Sequence, residues 1–154
     1  MSWMCDAAYL FHVDVSSCQT RKFTSMAVAF HHAKVFNNGI SKRNTPAVTQ
    51  MDAMFSGAKV FNGEFSEWNV INVTTMTHML SASIFNGGIS NWNVNKVTLR
   101  FSMFANAIPF DQHLCWDLSG KTQLLCSIIL KEVPDLIKIL CFFPCYNFMM
   151  CCGI

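Results

Sequence analysis

Five histidines, nine carboxylates and eight cysteines are the side chains of this 154-residue chain that could carry catalysis or hold a metal. Acid–base or nucleophilic chemistry needs two such groups converging on one point. His12, His31, His32, His78 and His113 keep no common spacing, and Asp52, Glu64, Glu67 and Asp111 are sparse. The pair His31-His32 reads as solvated, not ligating. Cys5, Cys18 and Cys115 are scattered, whereas Cys126, Cys141, Cys145, Cys151 and Cys152 crowd the C-terminal end. There is no matched pair of C-x-x-C motifs, and Cys141 and Cys145 have no histidine at ligand spacing, so a zinc site is poorly supported. Disulfides in an oxidising compartment stay open. The expectation is a protein that is not an enzyme, with no cofactor, no metal and no small-molecule substrate.

Composition narrows the class further. Hydrophobic residues make up 52% of the chain and charged residues 13%, enough apolar content to bury a core and too much for disorder. The net charge is +2. The basic residues come as the pairs Arg21-Lys22 and Lys42-Arg43 and form no patch, which argues against nucleic acid as a partner. The first residues lack the basic and apolar regions of a secretion signal. The longest uncharged run, 139–154, is broken by Pro144 and Asn147 and is short for a membrane span.

The elements that position the side chains repeat. The clearest unit begins at Met51 and places Met54, Phe55, Ala58, Phe61, Asn62, Phe65, Ser66, Trp68, Asn69, Val70, Val73 and Thr74. Twenty-five residues earlier stand Met26, Phe30, Ala33, Phe36, Asn37, Ile40, Ser41, Val48 and Thr49. One unit later, with one residue deleted, stand Met79, Phe85, Asn86, Ile89, Ser90, Trp92, Asn93, Val94, Val97 and Thr98. A shorter unit follows with Met103, Phe104, Ala107, Phe110, Leu114 and Trp116. The units are 1–25, 26–50, 51–75, 76–99 and 100–122, followed by an apolar, Cys-rich segment 123–154. Met-x-x-Met-Phe-x-x-Ala has the spacing of one helix face, about two turns long. The alternating stretch ending in Trp-Asn-Val suits a short strand. Together these predict an α/β repeat solenoid, with short parallel strands and short helical turns.

The recurrent positions read as ladders. Phe36, Phe61 and Phe85 form one spine, and Ile40, Phe65 and Ile89 another. The methionines fill a corner. Asn37, Asn62 and Asn86, with the serines at 41, 66 and 90 and the threonines at 49, 74 and 98, are expected to satisfy backbone groups between coils. Trp68 and Trp92 read as edge-of-core residues, with an exposed binding role as the alternative. Glu64, Glu67, Trp68 and Trp92 are the candidate binding residues. Asn72-Val73-Thr74 matches a glycosylation sequon, but Thr74 belongs to a ladder and a structural role is preferred.

The pattern Met-Phe-x-x-Ala-x-x-Phe-Asn-x-x-Ile-Ser-x-Trp-Asn-Val-x-x-Val-Thr-x-Met resembles the BspA-like leucine-rich-repeat surface proteins. The likeness covers residues 1–122 and is best over 51–98. It implies a right-handed, leucine-rich-repeat-like coil, display at the cell surface or outside the cell, and adhesion or binding of a protein or glycan. It implies no catalytic residue. The chain departs from the pattern at Lys42-Arg43-Asn44-Thr45-Pro46, where Pro46 is expected to interrupt a strand, and at Arg100, which replaces a ladder methionine. A repeat that begins in register at Met1 suggests a fragment of a longer array. Segment 123–154 reads as an extension foreign to the native protein or as a helical cap. A truncated remnant without independent function, and an ice- or surface-binding array built on the threonine ladder, stand as the alternative functions.

Overall fold

The backbone returns to the same place every 24 or 25 residues. In the computed structural model, which describes residues 20–37, 40, 41, 45–112, 114 and 116, Ser25 pairs in parallel with Gln50, Gln50 with Thr75, and Thr75 with Leu99. The first unit, except its last residues, and the whole of 123–154 lie outside the described residues.

The expected α/β architecture is overturned. Among the described residues there is no helix, and β-pairing is confined to those three isolated bridges. The right-handed, leucine-rich-repeat-like coil of strands and helical turns is therefore not the fold. Where a helix was expected, the chain runs as consecutive tight turns. The amides of Met54, Ser56 and Ala58 donate to the carbonyls three residues back, on Met51, Ala53 and Phe55. The alternate amides, of Met51, Ala53, Phe55 and Gly57, donate instead to Thr75, Thr77, Met79 and Ser81 of the next repeat. A helix would tie all of these amides within its own segment. Here half of them bind one repeat to the next.

Left-handed residues make this possible. Val28, Ala53, His78 and Ser102 have φ between 50° and 55°, and four residues on His32, Gly57, Ala82 and Asn106 have φ between 52° and 70°. Each breaks the helical i→i−4 ladder and re-aims the following amide. Met51, Met54, Phe55 and Ala58 still all point inward and are buried, as they would on one helix face. Gly57 is the one glycine in this set. A Cβ added there would also press on the His32 imidazole, 2.8 Å from Cε1. Gly57→Ala is therefore expected to cost about 1–2 kcal/mol, the typical penalty of a left-handed L-residue, while Ala82→Gly holds or raises stability. Urea unfolding measures both, and an unchanged midpoint for Gly57→Ala contradicts the left-handed assignment.

Apolar residues at equivalent positions stack through the interior. Phe36, Phe61, Phe85 and Phe110 form one column, with ring centroids 5.9, 6.1 and 6.2 Å apart and near-parallel planes. Phe30 stacks on Phe55 at 5.3 Å, and Phe55 on Phe61 at 4.0 Å. Ile40, Phe65 and Ile89 form the parallel column as expected, with Leu114 packed against its end. Met26, Met51 and Met76 are buried in a further column, in which the fourth member is Arg100. Each fully buried side chain of this size contributes roughly 1.5–3 kcal/mol, so columns and not local propensity hold these short turns in place.

Polar ladders tie the outside, as expected for the asparagines and threonines. Asn37 Oδ1 accepts the Asn62 amide at 2.9 Å, Asn62 Oδ1 the Asn86 amide at 2.8 Å, and Asn86 Oδ1 the Asp111 amide at 3.1 Å. Thr49 Oγ1 donates to Thr24 O, Thr74 Oγ1 to Thr49 O and Thr98 Oγ1 to Thr74 O. Pro46 interrupts no strand: it sits in a turn closed by the Val48 amide on Thr45 O, where its fixed φ is favourable. Thr45 replaces the valine of the motif at the same buried place, and its hydroxyl donates to Asn69 O at 3.0 Å. Lys42, Arg43 and Asn44 lie outside the described residues.

Candidate functional site

From 61 to 73 the side chains sort into an inner and an outer set. Phe61, Phe65, Trp68, Val70 and Val73 are buried, whereas Asn62, Glu64, Glu67, Asn69 and Ile71 are exposed. The next repeat keeps the inner set as Phe85, Ile89, Trp92, Val94 and Val97 and exposes Gly88, Asn91, Asn93 and Asn95. The inward residues thus recur in type, whereas the outward Glu64 and Glu67 become Gly88 and Asn91, with Asn69 kept, as Asn93. Gly39 and Lys42, the counterparts one repeat earlier, lie outside the described residues.

Trp68 and Trp92 belong to the inner set, at 3% and 4% exposure. Both indoles, N–H groups included, lie within the core and not at a wet edge. Trp68 Nε1 donates to Ile40 O at 2.8 Å and Trp116 Nε1 to Ile89 O at 2.9 Å. Trp92 Nε1 is buried with no acceptor among the described residues. Asn69 and Asn93 cap their own turns by accepting the amides of Ile71 and Asn95.

Only Glu64 and Glu67 of the four candidates are presented outward. Neither forms an ion pair among the described residues. The lysines nearby are engaged between repeats: Lys59 Nζ donates to Ala82 O at 3.2 Å and Lys96 Nζ to Asn72 Oδ1 at 2.7 Å. Asn72 Nδ2 in turn donates to Pro46 O at 2.9 Å, the structural role preferred for the sequon. The threonine hydroxyls are likewise directed at carbonyls of the preceding repeat.

Two exposed apolar features escaped the sequence reading. Val35, Val60, Ile84 and Ile108 line one corner across four repeats, and Ile108 is 69% exposed. Their steps of 25, 24 and 24 residues repeat as regularly as the core columns do, so position relative to the turn at 33–36, and not hydrophobicity, was the missing signal. Leu99 and Phe101 are also exposed, and Phe101 meets His78 edge-to-face at 5.6 Å.

His31 and His32 lie with ring centroids 4.1 Å apart, and among the described residues no three His, Cys, Asp or Glu side chains converge to hold a metal. No helix among them is long and apolar enough to cross a membrane. His12, His113 and every cysteine lie outside the described residues.

Stacked, hydrogen-bonded units of one sequence pattern define this chain as a tandem-repeat protein. It belongs to the family described as "Mycoplasma protein of unknown function, DUF285", whose model matches residues 1–119. No curated protein and no solved structure matches it.

Proposed function

We propose that the chain is a non-catalytic binding module that recognises a protein or glycan through the outward positions of its repeats. The observation that carries this reading is the contrast between recurrent inner residues and changing outer ones, seen in Glu64 and Glu67 against Gly88 and Asn91. Such a scaffold keeps its core while its surface sets partner choice. The likeness of the repeat to BspA-like surface proteins supports display at a cell surface and a role in adhesion. The net charge of +2 favours a protein or glycan over nucleic acid.

The test pairs stability with retention. Glu64→Ala combined with Glu67→Ala is expected to shift unfolding by no more than about 0.5 kcal/mol per site. The same variant should lose most of the binding seen when immobilised protein is exposed to a glycan array and to extracellular extracts. Retention that is absent for the wild type, or identical for the double variant, removes the support for this face.

A further inference from the structure

The asparagine ladder carries a reactive dipeptide on two of its rungs. Asn62 and Asn86 are each followed by glycine, Gly63 and Gly87. A third pair, Asn38-Gly39, lies outside the described residues. Glycine leaves the amide after an asparagine unhindered and its backbone free to turn, so that nitrogen can act as an intramolecular nucleophile on the side-chain Cγ. The ladder itself activates both carbons. A backbone N–H held on Oδ1 draws charge from Cγ and steadies the oxygen when the carbon is attacked. That donor is the Asn86 amide for Asn62, at 2.8 Å, and the Asp111 amide for Asn86, at 3.1 Å.

The two nucleophiles differ. Asn62 is exposed and Gly63 half-buried, and the Gly63 amide donates to no acceptor among the described residues. Gly87 is buried, so close to the preceding ring that an added Cβ would lie 2.6 Å from Phe85 Cε2. Asn86 Oδ1 is also held by a second donor, Gln112 Nε2 at 3.0 Å. Water reaches the first pair and no hydrogen bond among the described residues fixes its glycine, whereas the second pair is packed and clamped.

We infer that Asn62-Gly63 is a self-modifying site, at which the folded protein converts Asn62 to aspartate and isoaspartate with water as the only co-reactant. The Gly63 nitrogen bonds to Asn62 Cγ and gives up its proton, the Cγ–Nδ2 bond breaks, and Nδ2 leaves with that proton as ammonia. One water then opens the cyclic imide. Cleavage of the new Cγ–N bond gives aspartate, and cleavage of the bond to the original main-chain carbonyl gives isoaspartate. Nothing is oxidised or reduced. Either product places a carboxylate two residues before Glu64, on the exposed side of the repeat, and lowers the net charge of +2 by one. Aspartate keeps Oδ1 and so keeps the acceptor for the Asn86 amide. Isoaspartate adds one carbon to the main chain of that coil and disturbs the ladder.

The full chain is incubated, folded, in mildly alkaline buffer, then quenched in acid, denatured and cut by chymotrypsin after Phe61 and Phe85. Mass spectrometry should show the fragment beginning at Asn62 gaining one mass unit, as two species of different elution, well before the fragment beginning at Asn86. An Asn62→Asp chain supplies the elution standard for one of the two. In a chain held unfolded in urea the two fragments should convert at similar rates, which assigns the difference to the fold. Gly63→Ala, with folding confirmed by circular dichroism, should slow the gain at Asn62 and leave the Asn86 fragment unchanged. No gain at Asn62 in the wild type, equal rates for the two fragments in the folded chain, or an undiminished gain in Gly63→Ala overturns the inference.

Discussion

Phe61→Ala is expected to destabilise the protein by about 3–5 kcal/mol, the usual result of truncating a buried phenylalanine. Phe61 is completely buried and sits where two columns meet. Its ring lies 4.0 Å from Phe55 and 5.7 Å from Phe65 within the repeat, and about a coil spacing from Phe36 below and Phe85 above. Alanine opens a gap bounded by four rings held by their own repeats' hydrogen bonds, so the surroundings collapse little and most of the loss persists. Glu64→Ala, three residues on and solvent-exposed, is expected to change stability by about 0.5 kcal/mol or less. Urea unfolding of the two variants decides the point. Similar midpoints would mean that the phenylalanine column does not carry the fold.

The tryptophans give the second large effect, and a sharper comparison. Trp68→Ala should cost about 3–5 kcal/mol through lost packing against Phe65, whose ring it meets edge-on at 5.6 Å. Trp68→Phe keeps much of that area but deprives Ile40 O of its donor, at a cost of roughly 1–3 kcal/mol for a buried carbonyl. Trp92→Phe removes an indole N–H that has no acceptor among the described residues, so the same substitution one repeat later should come much closer to neutral. If Trp68→Phe and Trp92→Phe shift the unfolding midpoint equally, the difference in hydrogen bonding between the two indoles is not real.

Which side chains face inward was legible from residue types alone. Phe36, Phe61, Phe85, Ile40, Phe65 and Ile89 recur at one step and are all buried. The asparagine and threonine ladders were legible for the same reason: a short polar side chain repeated at every coil has the neighbouring coil's backbone as its nearest partner. The backbone conformation was not legible. A face of Met51, Met54, Phe55 and Ala58 is compatible with a helix and with a chain of turns, because apolar spacing records which residues point inward and is silent on where the amides go. Glycine would have signalled the left-handed sites, but among the eight such residues only Gly57 supplies it; Val28, Ala53, His78 and Ser102 carry a Cβ there. Tertiary pairing with the next repeat overrides their local preference.

The candidate site was half legible. Glu64 and Glu67 are outward as read, whereas Trp68 and Trp92 turn inward to pack on Phe65, and of the two only Trp68 also reaches a carbonyl of the preceding repeat. The corner of Val35, Val60, Ile84 and Ile108 was hidden by its own hydrophobicity, which makes an exposed aliphatic residue look like one more core position.

Because the bonds between repeats run along the direction in which the coils pile up, tension applied to the two ends of this stack would load them one after another instead of all together. Each coil that peels away frees 24 or 25 residues, up to about 80–90 Å of extended chain, while the coils beneath keep their own pairing. A protein built this way yields under pull in discrete lengths, and its grip on whatever holds its far end outlasts the loss of any single coil.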